Sequence, residues 1–324
     1  MDLLEAGHIL YLVGDMLSFQ YRERTRTLPE YIYNFIDDGG ITEFNIKKLI
    51  NSPNLIFFIN FTNGLLNDDD NLGKIIEKTY KKISKNKLYK NIQVTRTADT
   101  PATSQILINL GIVYADNIDK LVDESIGIGK IISTNIDSYL SGLCVNFFVT
   151  LIKKKVKIDQ WVFKLIDLLK SDIVKKYFLK SSELERYIIY VSLWKNYAKT
   201  RFSKDGELIK AKAFSNLEYR IKYFYDLVKT NVDLEFIDDI LICSFTIICV
   251  AYDGLLTCNG NWEKLVYSTV LFWINSGSIA CYLYGLMYGL DNVSDNMLIE
   301  VKYKDEMIKM ARKMYKKYYL GEKF

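Results

Sequence analysis

The chain has 324 residues, of which 49% are apolar and 25% charged, and its net charge is +4. That balance suits a globular protein whose core needs no disulfide or metal staples, and it is too weakly basic for a nucleic-acid partner. Its five cysteines, Cys144, Cys243, Cys249, Cys258 and Cys281, lie in apolar runs without metal-ligand spacing and read as reduced core thiols of a cytoplasmic protein.

The first stretch, Leu3 to Phe19, is apolar nearly all round and predicts a buried helix with Gly14-Asp15 in its middle. It lacks the basic start and small-residue cleavage site of a signal peptide. Leu28 to Ile36 is amphipathic, and Asp37-Asp38-Gly39-Gly40 is a stop signal. Pro53 opens the helix LIFFINFTNGLL, and Asn67 to Asn71 is a polar loop before a helix with Ile75, Ile76, Tyr80 and Ile83 on one side. A basic connector, KISKNKLYKN, follows. Thr100-Pro101 then starts a single helix from Ala102 to Tyr114, and Ile118 to Ile132 reads as a helix interrupted by Gly127 and Gly129.

Further helices are expected over Tyr139–Ile152, Trp161–Leu169, Glu183–Ala198, Leu217–Val228 and Val301–Tyr319. Ile240 to Tyr252 is the most apolar run, but its 13 residues are too few to cross a bilayer, so it reads as a central core helix and no membrane partner is expected. Ala251 to Gly289 predicts two packed helices separated by Asn275-Ser276-Gly277-Ser278, a break made of capping residues. Nothing alternates long enough to need a sheet. The expectation is one all-α domain over residues 1–324. Abundant Ile, Lys, Asn and Tyr with three prolines point to an AT-rich genome, as in some viruses and parasites.

Few residues recommend themselves for chemistry. His8, the single histidine, sits on an apolar helix and reads as structural. Asp68-Asp69-Asp70 departs from a calcium loop, because Thr79 rather than Glu stands at the twelfth position. Gly127-Ile128-Gly129-Lys130 lacks the strand, the Gly spacing and the Ser/Thr of a phosphate loop. Lys153-Lys154-Lys155 and the C-terminal basic helix read as solvated faces.

The order of several motifs is more informative. Ala251-Tyr252-Asp253 is followed by Trp262, the capping break, Gly285-Leu286-Met287-Tyr288-Gly289 and an amphipathic C-terminal helix. Together these resemble the ADP-ribosylglycohydrolase family, nearest its ADP-ribosylarginine hydrolase branch. Gly14-Asp15-Met16-Leu17 resembles that family's GDAL, Gly39-Gly40-Ile41 its GGL, and Trp194-Lys195-Asn196-Tyr197 its WENY. Ile118 to Gly142 and Tyr303 to Tyr315 follow it almost without gaps.

The resemblance implies an all-α fold with two magnesium ions, held by an S/T-D-D-T turn early in the chain and a D-x-D-S/T turn late in it. Counting from Gly40, the early turn falls on Asn51, Ser52, Pro53 and Asn54. Counting from Ala251, the late turn falls on Asn275, Ser276, Gly277 and Ser278; counting back from Gly289 moves it to Phe272–Asn275. All four aspartates are missing. The family's Gly-rich substrate loop falls near Ala98 to Ser104, its histidine-rich stretch on Ser133-Thr134-Asn135, and its SGHD segment on Cys243 to Thr246. An alternative register, with Thr97-Ala98-Asp99-Thr100 as the early turn, needs a long insertion and a long deletion and restores one aspartate.

Neutral amides and hydroxyls cannot offset two divalent charges in a low-dielectric cleft. The expectation is therefore loss of the magnesium pair, with no cofactor and no catalytic residue, and a pseudoenzyme that works through an unidentified protein partner or as a structural component. The alternatives are a module that binds ADP-ribose without cleaving it, and a divergent active hydrolase.

Overall fold

Apolar periodicity becomes helix throughout. The computed structural model describes residues 2–24, 52–67, 71–83, 102–179, 182–209, 217–229, 243–270, 276–299 and 301–322, with the side chains of the first helix as far as Ser18. Among them are fifteen α-helices and no strand, only an isolated bridge between Phe202 and Leu208. The first five are α1 (Asp2–Arg24), α2 (Pro53–Leu66), α3 (Leu72–Ile83), α4 (Ala102–Leu107) and α5 (Leu110–Val113). Then come α6 (Ile118–Ile132), α7 (Ile136–Lys153), α8 (Trp161–Lys170), α9 (Asp172–Lys175) and α10 (Leu184–Arg201). The last five are α11 (Leu217–Val228), α12 (Ser244–Cys258), α13 (Trp262–Leu265), α14 (Gly277–Tyr288) and α15 (Lys304–Tyr318).

Helix α7 is the hub. It is buried from Ile136 to Leu151 and packs against α4, α5, α6, α8, α10, α12 and α14. It is the one described helix long and apolar enough to cross a membrane, and 89% of it is covered by the fold. Beside it, α1 and α14 lie along one another more closely than any other pair. A side chain at Gly14 would strike the Gly277 carbonyl, and one at Gly285 would lie 2.5 Å from the Gly7 amide. Both crossings therefore require glycine, and backbones that approach this closely gain dispersion contacts along the whole seam.

Several expectations need correction. The helix from Ala102 to Tyr114 is two, parted at Ile108-Asn109, where the Asn109 side chain reaches into a buried polar cluster while its carbonyl starts the next helix. The two glycines do not interrupt α6: Gly127 faces open space, and Gly129 lets the helix settle onto Tyr139 and Thr103. The pair of helices between Ala251 and Gly289 is a longer series. Helix α12 ends at Asn259 in the left-handed conformation, and α13 then runs into a π-helical turn, Val266–Val270, before α14. Such a turn frees carbonyls from the helical ladder. Here Ser276 Oγ donates to Thr269 O at 3.0 Å and Arg220 Nη1 to Ser268 O at 3.0 Å. The expected features at Leu28–Ile36, Asp37–Gly40, Asp68–Asp70 and Ser84–Asn91 lie outside the described residues.

Candidate functional site

The two turns singled out by counting are brought together. Ser52 stands at the N-terminus of α2, with Pro53 in the first turn, where a missing N–H costs nothing. Its Oγ does not cap its own helix, because it donates to Asp15 Oδ1 of α1 while its N–H donates to Asp15 Oδ2 at 2.9 Å. One residue beyond Pro53, the Asn54 Nδ2 donates to Gln105 Oε1 at 2.5 Å. Gln105 Nε2 in turn donates to Ser278 Oγ at 2.9 Å, on the first turn of α14. A single amide from α4 thus spans from the start of α2 to the start of α14. Its own main chain is held by Tyr11, whose hydroxyl donates to Gln105 O at 3.2 Å. Gly277 lies on the Gly14 crossing, and Ser276 is tied to the π-helical turn. Asn51, Asn275, Phe272, Trp273 and Thr97–Thr100 lie outside the described residues.

A second group of helix starts adjoins this one. Asn135 caps α7, accepting from the amides of Asp137 and Ser138 at 2.9 and 3.4 Å. Ser138 Oγ meets Ser244 Oγ, at the start of α12, at 3.4 Å. The first turns here are rich in buried hydroxyls. Among the described residues, Ser18 Oγ, Thr103 Oγ1, Ser104 Oγ and Thr246 Oγ1 are buried and make no hydrogen bond, a costly state for a hydroxyl in a dry interior.

Apart from Asp15, the ionisable groups described below are committed elsewhere. His8 Nδ1–H donates to Leu4 O at 2.8 Å, and its Nε2 accepts from Asn109 Nδ2 at 3.3 Å. Burial lowers its pKa to about 4, so the ring is neutral. Asn109 also donates to Thr62 Oγ1 at 2.8 Å and accepts from Tyr282 OH at 2.5 Å. Burial pushes the Cys144 thiol up to about 12 and raises Cys249, Cys258 and Cys281 as well, the opposite of an activated nucleophile. Asp253 is wholly enclosed by Tyr197 OH at 2.9 Å, Arg201 Nε at 2.7 Å and Arg220 Nη2 at 3.4 Å. Asp137 pairs with Arg186, yet burial still raises its carboxyl. Lys130 pairs with Glu183 at 3.1 Å. Among the described residues, no three His, Cys, Asp or Glu side chains gather as a metal-ligand group.

Over 215 residues, 61% of its length, the chain is 25% identical to a candidate ADP-ribosyl glycohydrolase of Acanthamoeba polyphaga mimivirus. Over 221 residues, again 61%, it is 23% identical to an ADP-ribosylhydrolase of Dictyostelium discoideum. The chain is similar to ADP-ribosylhydrolases. The matched stretch spans 40% of the first relative and 55% of the second. No family model matches. The likeness agrees with the all-α, ADP-ribosylhydrolase-like architecture read from motif order.

Gln105 is the residue that sequence reading missed. It stands one position beyond the segment aligned with the family's Gly-rich loop, and nothing in its local pattern marks it. The glycine pairs Gly7/Gly14 and Gly277/Gly285 were the available signal for the α1–α14 seam, since each pair recurs on one face of its helix.

Proposed function

We propose that this chain is a catalytically inactive ADP-ribosylhydrolase-like protein that works by binding a protein partner or as a structural component. The observation that carries this reading is the amide relay Asn54–Gln105–Ser278. It joins the two turns through neutral groups whose polar atoms serve one another. Both oxygens of the neighbouring Asp15 are engaged by Ser52. Paired magnesium needs fixed negative charge from its ligands, and amides and hydroxyls do not provide it. His8 is neutral in a separate network and offers no base. Five buried cysteines without a disulfide fit a cytoplasmic setting. The deciding assay incubates the chain with a protein ADP-ribosylated on arginine and with magnesium. No release of ADP-ribose is expected; release at a rate above the uncatalysed one overturns the reading.

A second reading has its own support. The half-buried Asn54 amide at the start of α2 suits a module that holds ADP-ribose through neutral hydrogen bonds without cleaving it. A rise in Tm with ADP-ribose in the presence of EDTA favours that module, and a flat response across nucleotides removes it.

A further inference from the structure

Loss of the magnesium pair, as proposed above, raises a mechanical question, because in a two-turn metal site the ions also tie the turns together. We propose that Gln105 replaces that tie. Its side chain acts as a neutral staple that holds the starts of α2 and α14 at fixed spacing, so that this region closes without any divalent cation. The proposal rests on the reading of a lost metal pair and extends it to the residue that took over the structural part of the ions' task.

The geometry supports each half of the staple. A primary amide carries an acceptor and a donor on one carbon, and both are used: Oε1 accepts from Asn54 at 2.5 Å and Nε2 donates to Ser278 at 2.9 Å. Gln105 is buried, as are Ser278 and the neighbouring Tyr11, so the bond to Ser278 exchanges little with water, while Asn54 at the other end is half-buried. Its backbone is fixed by Tyr11, which stacks on Phe58 of α2 with ring centres 4.2 Å apart. The staple therefore binds α1, α2, α4 and α14 into one unit. Among the described residues, those at the two turns do not fit a dinuclear cation centre, and Gln105 crosses between Asn54 and Ser278.

The test is thermal unfolding of the full chain in EDTA and in millimolar magnesium or manganese, for the native sequence and for Q105A, Q105E and S278A. The native chain is expected to melt at one temperature in all solutions. Q105A loses both bonds and leaves Asn54 and Ser278 short of a partner, so its Tm falls by several degrees irrespective of metal. S278A loses one bond and falls less, which keeps the comparison readable if Q105A does not fold. Q105E retains both bonds, since a carboxylate accepts from the Asn54 amide and the Ser278 hydroxyl, but it sets a buried negative charge between the turns. Its Tm therefore falls in EDTA and recovers in part with magnesium or manganese.

If Q105A melts like the native chain, the staple is refuted while the metal-free reading stands. If magnesium raises the native Tm, the metal-free reading itself fails. A Q105E variant that ignores both cations shows that Gln105 does not occupy a position from which a cation could join the turns, and it too overturns the proposal.

Discussion

His8 spends its chemistry on structure. Its folded pKa of about 4 lies below the ordinary 6.5. As pH falls through 6.5, the unfolded chain takes up a proton that the folded chain refuses until about pH 4. Stability is thus full above 6.5 and is lost downward across that window, by about 3 kcal/mol in total. Denaturant unfolding at stepped pH should show this slope, and His8→Gln should flatten it. Asp253 makes the complementary case. It is shared by two buried guanidinium groups, so Asp253→Asn removes the negative charge that both face in the core and should cost about 3–5 kcal/mol by equilibrium unfolding. In the sequence, Asp253 stands out only as part of the Ala251-Tyr252-Asp253 motif. Its partners stand 52 and 33 positions away, beyond the reach of any local pattern.

Among the elements, helix α11 begins and ends where its amphipathic pattern predicts, and α2 starts at the proline that predicts it. Local apolar spacing and caps are enough for such cases. The split between α4 and α5 was not legible, because the side chain at the break, Asn109, bonds His8, Thr62 and Tyr282, all remote in the chain. The uninterrupted α6 was misjudged because a helical glycine weakens a helix by only about 1 kcal/mol, which packing easily offsets. Of the site, counting placed Ser52, Asn54 and Ser278 at helix starts, while the Gln105 amide that joins Asn54 to Ser278 was not legible. Glycines of different kinds should behave oppositely. Gly127→Ala faces open space and should stabilise by about 1 kcal/mol. Gly14→Ala must push α1 off the Gly277 backbone and should destabilise by about 3 kcal/mol. Paired thermal melts check both signs.

Across the whole molecule, the last helix closes on the first two. Arg312 pairs with Glu5 of α1, at 3.0 Å from Nε to Oε1. Lys317 Nζ donates to Leu66 O at 2.8 Å and Tyr318 OH to Leu65 O at 2.7 Å, so α15 satisfies the final carbonyls of α2. From the end of α7, Lys153 Nζ reaches Tyr318 O at 3.3 Å and lies 4.8 Å from the centre of the Tyr319 ring. The two basic segments that read separately as solvated faces meet at this closure. Tyr318→Phe should cost about 1 kcal/mol and raise hydrogen exchange at the end of α2. The closure also has a bearing on synthesis. Leu65 and Tyr318 are 253 positions apart. At about 5–20 residues per second, a ribosome needs roughly 13–50 s to make the second after the first. Throughout that interval the nascent α2 waits with bare carbonyls, and chaperones have their longest opportunity there.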